Sequence, residues 1–119
     1  MNQIKLKRIG SQIVKEISDI LLTEARDKLM HTITITGCEV SGDLSYAKVY
    51  FTSVLDIDKK DIEKELDEAA PFIRKLLSER IEIRHTPKLL FKFDESVEYG
   101  NHIESILDKI HGEKNEENN

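Results

Sequence analysis

Two groups of basic side chains stand out as able to do chemistry, and that chemistry is the binding of a polyanion. Lys5, Lys7, Arg8 and Lys15 fall close together near the start of the chain, and Arg74, Lys75, Arg80, Arg84, His85 and Lys88 fall within residues 74–88. Lys and Arg carry fixed positive charge, and the Arg fork matches the oxygens of a phosphate. Other chemistries lack their residues. His31, His85, His102 and His111 are scattered with no metal-ligand spacing, and Cys38, the only cysteine, cannot complete a common zinc set. A single cysteine also excludes an internal disulfide and fits a reducing compartment. No base or electropositive setting in the sequence points to a catalytic thiol, so Cys38 reads as a small buried strand residue. The chain has no P-loop and no dinucleotide fingerprint, and its carboxylates lie in solvated helical runs. These absences predict a binding protein: not an enzyme, with no cofactor, no metal and no small-molecule substrate.

The formal net charge of -5 is unevenly spread. Residues 56–68 carry seven acids against three lysines, whereas residues 69–93 carry six Lys and Arg against two Glu. Residues 1–20 carry four bases against two acids. A polyanion responds to the local field, so an acidic total is compatible with a basic face.

The elements that must position these charges follow from periodicity. Ile9, Ile13, Ile17, Ile20, Leu21 and Ala25 recur at steps of three and four, predicting one helix over about 5–25. Bases near its start oppose the helix dipole by a few tenths of a kcal/mol, roughly, which hints at another use for them. Residues 31–40 then alternate, with Ile33 and Ile35 on one face and Thr32, Thr34 and Thr36 on the other. Ser41-Gly42-Asp43 turns the chain into a second alternating run over 45–54, with Ala47, Val49 and Phe51 inward. Tyr46 and Tyr50 lie on its polar face, where tyrosines can stack bases but more often simply suit a half-exposed sheet.

Asp58 is a predicted N-cap for a helix carrying Ile62 and Leu66 and ending near Ala69 and Ala70. Pro71 lacks an N–H and clashes with the preceding turn, which predicts a break there and a second, basic helix over 71–80. Phe72, Ile73, Leu76 and Leu77 are its expected core face. Pro87 precedes a third strand in which Leu89, Phe91 and Phe93 share a side. Ser96 is a predicted cap for a last helix reaching Ile110, and the apolar-free tail GEKNEENN is expected to be disordered. The domain organisation is therefore one domain over 1–111 with an acidic tail over 112–119.

The order α-β-β-α-α-β(-α) predicts an α+β fold, a three-stranded sheet with helices on one face and a parallel pair across the long crossover. It is the order of a type II KH-like domain. KH domains clamp single-stranded RNA with a GXXG loop between the middle helices. Here that position reads Glu68-Ala69-Ala70-Pro71-Phe72, without glycine.

From Lys7 to Ile110 the chain resembles ribosome-binding factor A of bacteria. The likeness includes Arg8-Ile9, Gln12-Ile13 and Glu16-Ile17, then Asp43-Leu44-Ser45 and Ala47-Lys48-Val49-Tyr50. Its strongest portion is Phe72-Ile73-Arg74 with Ile83-Arg84-His85-Thr86-Pro87-Lys88-Leu89, Phe91 and Asp94-Glu95-Ser96. That family has an interhelical kink in place of the GXXG loop, usually Ala-x-Gly. This chain has Ala69-Ala70-Pro71, and it also has Asp27-Lys28 where Asp-Pro is frequent. The resemblance implies a monomeric, cytoplasmic, non-enzymatic ribosome biogenesis factor. Such a factor binds the free small (30S) subunit and its 16S rRNA, assists late maturation and precursor processing, and supports cold adaptation. The alternatives are a stand-alone KH-like RNA-binding protein and a protein-interaction module. No family motif assigns the contacts to individual residues of the chain. The ten basic residues named above are chosen by charge and position. No apolar run is long enough for a membrane span, and the first residues lack the pattern of a signal peptide.

Overall fold

Helix α1 spans Gln3–Thr23, capped by Asn2, whose side-chain oxygen accepts from the Lys5 N–H at 2.8 Å. Its stripe of Ile9, Ile13, Ile17, Ile20 and Leu21 is buried, as the spacing predicts. The structure is a computed structural model that describes residues 2–54 and 58–96. The helix predicted beyond Ser96, the acidic tail and residues 55–57 lie outside the described residues.

A 3₁₀ turn at Met30–Thr32 leads into β1 (Ile33–Val40), which pairs antiparallel with β2 (Tyr46–Ser53) as the predicted hairpin. The alternation of β1 does not run through unbroken. Ile35 faces Phe51 and Gly37 faces Tyr50, so Thr36 is an extra residue forming a bulge. The bulge shifts the inward positions from Ile33 and Ile35 to Cys38 and Val40, which register with Val49 and Ala47. Helix α1 crosses close above this strand. A Cβ on Gly10 would lie 2.9 Å from the Cys38 carbonyl oxygen, so the approach requires glycine. Burial pushes the Cys38 thiol up to about 12, with Glu39 adding to the effect, and leaves it protonated at neutral pH.

Helix α2 runs from Lys59 to Arg80 without interruption, and Pro71 lies inside it. The predicted division into two helices at Ala69-Ala70-Pro71 is therefore corrected: among the described residues the order is α-β-β-α-β. An interior proline costs roughly 3 kcal/mol in an isolated helix. Here Ile62 and Leu66 before it, and Ile73 and Leu77 after it, are all buried in the same core. Each such burial stabilises by about 1.5–3 kcal/mol, so the packing outweighs the missing bond. Pro71 itself is exposed, as are Asp67 and Glu68 on the turn it disturbs. Asp58 caps the helix as expected, its side chain accepting from the Lys60 N–H at 2.8 Å.

Strand β3 (Lys88–Phe93) lies parallel to β2, completing the sheet order β1-β2-β3. Both helices cover one face of the sheet, where Ala47, Val49, Phe51, Leu89 and Phe91 are buried. Phe93 meets Phe51 edge-on at 5.6 Å, and the Lys59 ammonium sits 4.7 Å above the Phe93 ring. Glu63 accepts from the Phe93 N–H at 2.9 Å, tying α2 to the strand.

Candidate nucleic-acid interface

The N-terminal end of α1 and the segment joining α2 to β3 meet, and most of the predicted basic residues converge there. Lys5 and Arg8, one helical turn apart on α1, line a cleft of about 590 Å³ whose opposite wall is Glu82, Ile83 and Arg84. Arg84, with Ile83, also borders a second cleft of about 430 Å³, shared with Arg74, Lys75, His85 and Thr86. The two clefts flank Arg84. Lys5, Arg8, Lys75, Arg84, His85 and Lys88 are all exposed around this segment. Lys88 borders a third hollow together with Pro71 and Arg74. Lys7 and Lys15 are exposed on α1 outside the walls of these clefts.

Two predicted contacts have other work. Arg74 donates from Nε and Nη2 to the Thr86 carbonyl at 3.2 and 2.8 Å, a fork that fixes the α2–β3 segment against the helix. Arg80 turns toward α1, where it meets Asp19 at 2.5 Å and Glu16 and Glu24 at 3.5 Å each. Its pKa is raised, first by the hydrogen bond to Asp19. Arg74 thus positions the loop, and Arg80 clamps the two helices together.

The cleft also contains residues that charge alone did not identify. Leu44, Ile4 and Gln12 line it, and Leu44 is buried beneath the bases. Leu44 has φ 62°, in the left-handed region where a branched apolar side chain is unusual. A turn around Asp43 holds it there. Asp43 accepts from the Ser45 N–H at 3.0 Å, the Ser45 hydroxyl at 2.7 Å and the Ser41 hydroxyl at 2.9 Å. These bonds, led by the Ser45 hydroxyl, lower the Asp43 pKa to about 2. The expectation of a Gly-Asp turn holds, but the strained residue is Leu44 rather than Gly42.

On the open face of the sheet Tyr46 is exposed and Tyr50 is half-buried. The Tyr50 pKa is raised by burial and by the charge of Glu39, to which its hydroxyl is hydrogen-bonded. The acids Glu39 and Asp94 therefore lie close to Tyr50. Among the described residues no His, Cys, Asp and Glu group is placed to hold a metal ion, and no helix is long and apolar enough to cross a membrane.

A three-stranded sheet covered by helices on one face, with a basic cleft at one end and no GXXG loop, defines a KH-like α+β domain. The family model for ribosome-binding factor A matches residues 5–107, and the chain belongs to that family. Ribosome-binding factor A of Ligilactobacillus salivarius is 41% identical over 109 residues, which covers 90% of this chain and 92% of the relative. The crystal structure of ribosome-binding factor A from Thermus thermophilus superposes with a TM-score of 0.66 at 18% identity. The match covers 73% of this chain and 93% of that one. A further Thermus thermophilus structure is a homology model of the factor fitted into a cryo-EM map of a 30S complex. It matches with a TM-score of 0.60 at 19% identity, covering 72% of this chain and 91% of that one.

Proposed function

We propose that the chain is a non-enzymatic, cytoplasmic ribosome biogenesis factor. It binds the free 30S subunit, contacts 16S rRNA, and assists late maturation and precursor processing, including in the cold. The convergence of Lys5, Arg8, Lys75, Arg84 and His85 on the α2–β3 segment carries this reading. The clefts are open and basic, which suits phosphate contacts and recognition of RNA shape rather than of base identity. Membership of the family, and the 30S complex of a structural neighbour, support the choice of particle.

The test is co-sedimentation with purified ribosomal subunits across a salt series. The chain should migrate with the 30S particle at low salt and be released as salt rises, because phosphate contacts exchange with counterions. A Lys75→Glu, Arg84→Glu variant should migrate free while keeping the parent circular-dichroism spectrum. Absence of salt-sensitive co-migration by the parent protein would sink the reading.

A further inference from the structure

Phe72 is predicted to face the core, yet it is 54% exposed, and the helix turns it out between Pro71 and Ile73. It stands at the lip of a groove of about 400 Å³ between the C-terminal end of α1 and the middle of α2. Leu21, Met30 and Ile73 form the apolar floor. Leu21 and Met30 also border the neighbouring hollow that contains Leu22, itself 66% exposed. Two large apolar side chains thus face water at adjoining hollows that share Leu21 and Met30, the kind of surface that marks an interaction site.

The charge around the groove is the opposite of that at the basic clefts. Glu24, Arg26 and Asp27 lie in its wall; Glu24 is paired with Arg80, and the Asp27 carboxyl meets that of Glu65 on α2. The pKa of Glu65 is raised, first by the hydrogen bond to Asp27 and then by its charge, with Glu68 and Asp61 adding to the repulsion. Like charges held this close disfavour each other, and a cation brought to the rim would relieve them. At the rim Asp27, Glu65 and Glu68 outnumber Arg26, an excess of negative charge that disfavours a nucleic acid. A second copy packed symmetrically would bring acids against acids. An apolar hollow with an acidic rim instead complements a polypeptide whose lysines or arginines flank apolar anchors, in the helix-in-groove manner.

We propose that this groove, lipped by Phe72 and rimmed by Asp27 and Glu65, docks a basic amphipathic protein segment. The segment seats an apolar side chain against Phe72 and its cations among the carboxylates. The proposal does not depend on RNA binding, because this groove shares no lining residue with the basic clefts: on α2 it takes Ala69, Phe72 and Ile73, and they take Pro71, Arg74 and Lys75.

Its test is fluorescence anisotropy with the full chain and three synthetic helical peptides, in the absence of RNA. One peptide carries a leucine face and a lysine face, one replaces the lysines with glutamates, and one replaces the leucines with serines. The lysine–leucine peptide should bind and the other two should not. Phe72→Ala should weaken it about tenfold, as should Asp27→Asn with Glu65→Gln, a pair chosen to leave the fold intact. Equal binding of the serine peptide would reduce the site to nonspecific charge and overturn the proposal. So would undiminished binding by the variants, or no binding by the parent.

Discussion

Arg74, Arg80 and Arg84 carry the same charge and serve three different ends, decided by what each guanidinium touches. Arg74 holds a loop carbonyl, Arg80 sits among three acids on and just after α1, and Arg84 projects between two clefts. Asp43 shows the same dependence on partners with a consequence for stability. Its three hydrogen bonds favour the carboxylate, lowering its pKa from 3.8 to about 2 in the folded chain. A depressed folded pKa contributes stability that is present above the unfolded value and lost as pH falls through the folded one. Asp43→Asn should therefore be less stable than the parent at neutral pH. The gap should narrow between pH 3.8 and about 2, the interval set by those two values. Thermal melting of both proteins across that range checks it, and a gap that does not narrow toward acid pH would rule out the carboxylate as the source. The loosened turn would also release Leu44, whose left-handed backbone depends on it.

Helix α2 shows how packing settles what local propensity leaves open. Ile62, Leu66, Ile73 and Leu77 form one stripe, and the seven-residue step from Leu66 to Ile73 spans two turns of an unbroken helix. That stripe is visible in the sequence and contradicts a break at Pro71, but a proline rule applied locally outweighs it until the shared core is known. If the ring is merely tolerated, Pro71→Ala should restore the missing bond and raise stability by about 1–3 kcal/mol in urea unfolding. A loss of stability would show instead that the ring packs where Pro71 borders the Arg74 hollow. The hairpin, the parallel pair and the cap at Asp58 are readable directly from the sequence, through turn residues, crossover length and capping chemistry. The bulge at Thr36 and the close crossing at Gly10 are not, since each depends on what lies opposite in space. The exposure of Phe72 is hidden for the same reason: Phe72 and Ile73 are equally apolar neighbours, and only the direction of the core separates them.

Across the described residues, whose Lys and Arg balance their Asp and Glu, the charge separates into two poles. Bases gather where α1 begins and α2 ends, and acids gather where α1 ends and α2 begins. The uneven distribution is legible in the sequence, whereas the meeting of Lys5 and Arg8 with Arg84 requires the antiparallel run of the two helices. A polyanion approaching such a molecule is drawn to one end and repelled from the other, so charge selects orientation before any close contact forms. The two poles should therefore respond differently to neutralisation. Each phosphate contact contributes close to one counterion to the slope of log affinity against log salt. Lys75→Ala with Arg84→Ala should make the slope for 30S binding shallower by about 2, with a uniform loss of affinity. Glu65→Gln with Glu68→Gln, at the opposite pole, should leave the slope as it is. Equal changes from both pairs would mean that binding follows net charge, and the orientation imposed by the two poles would then have no part in it.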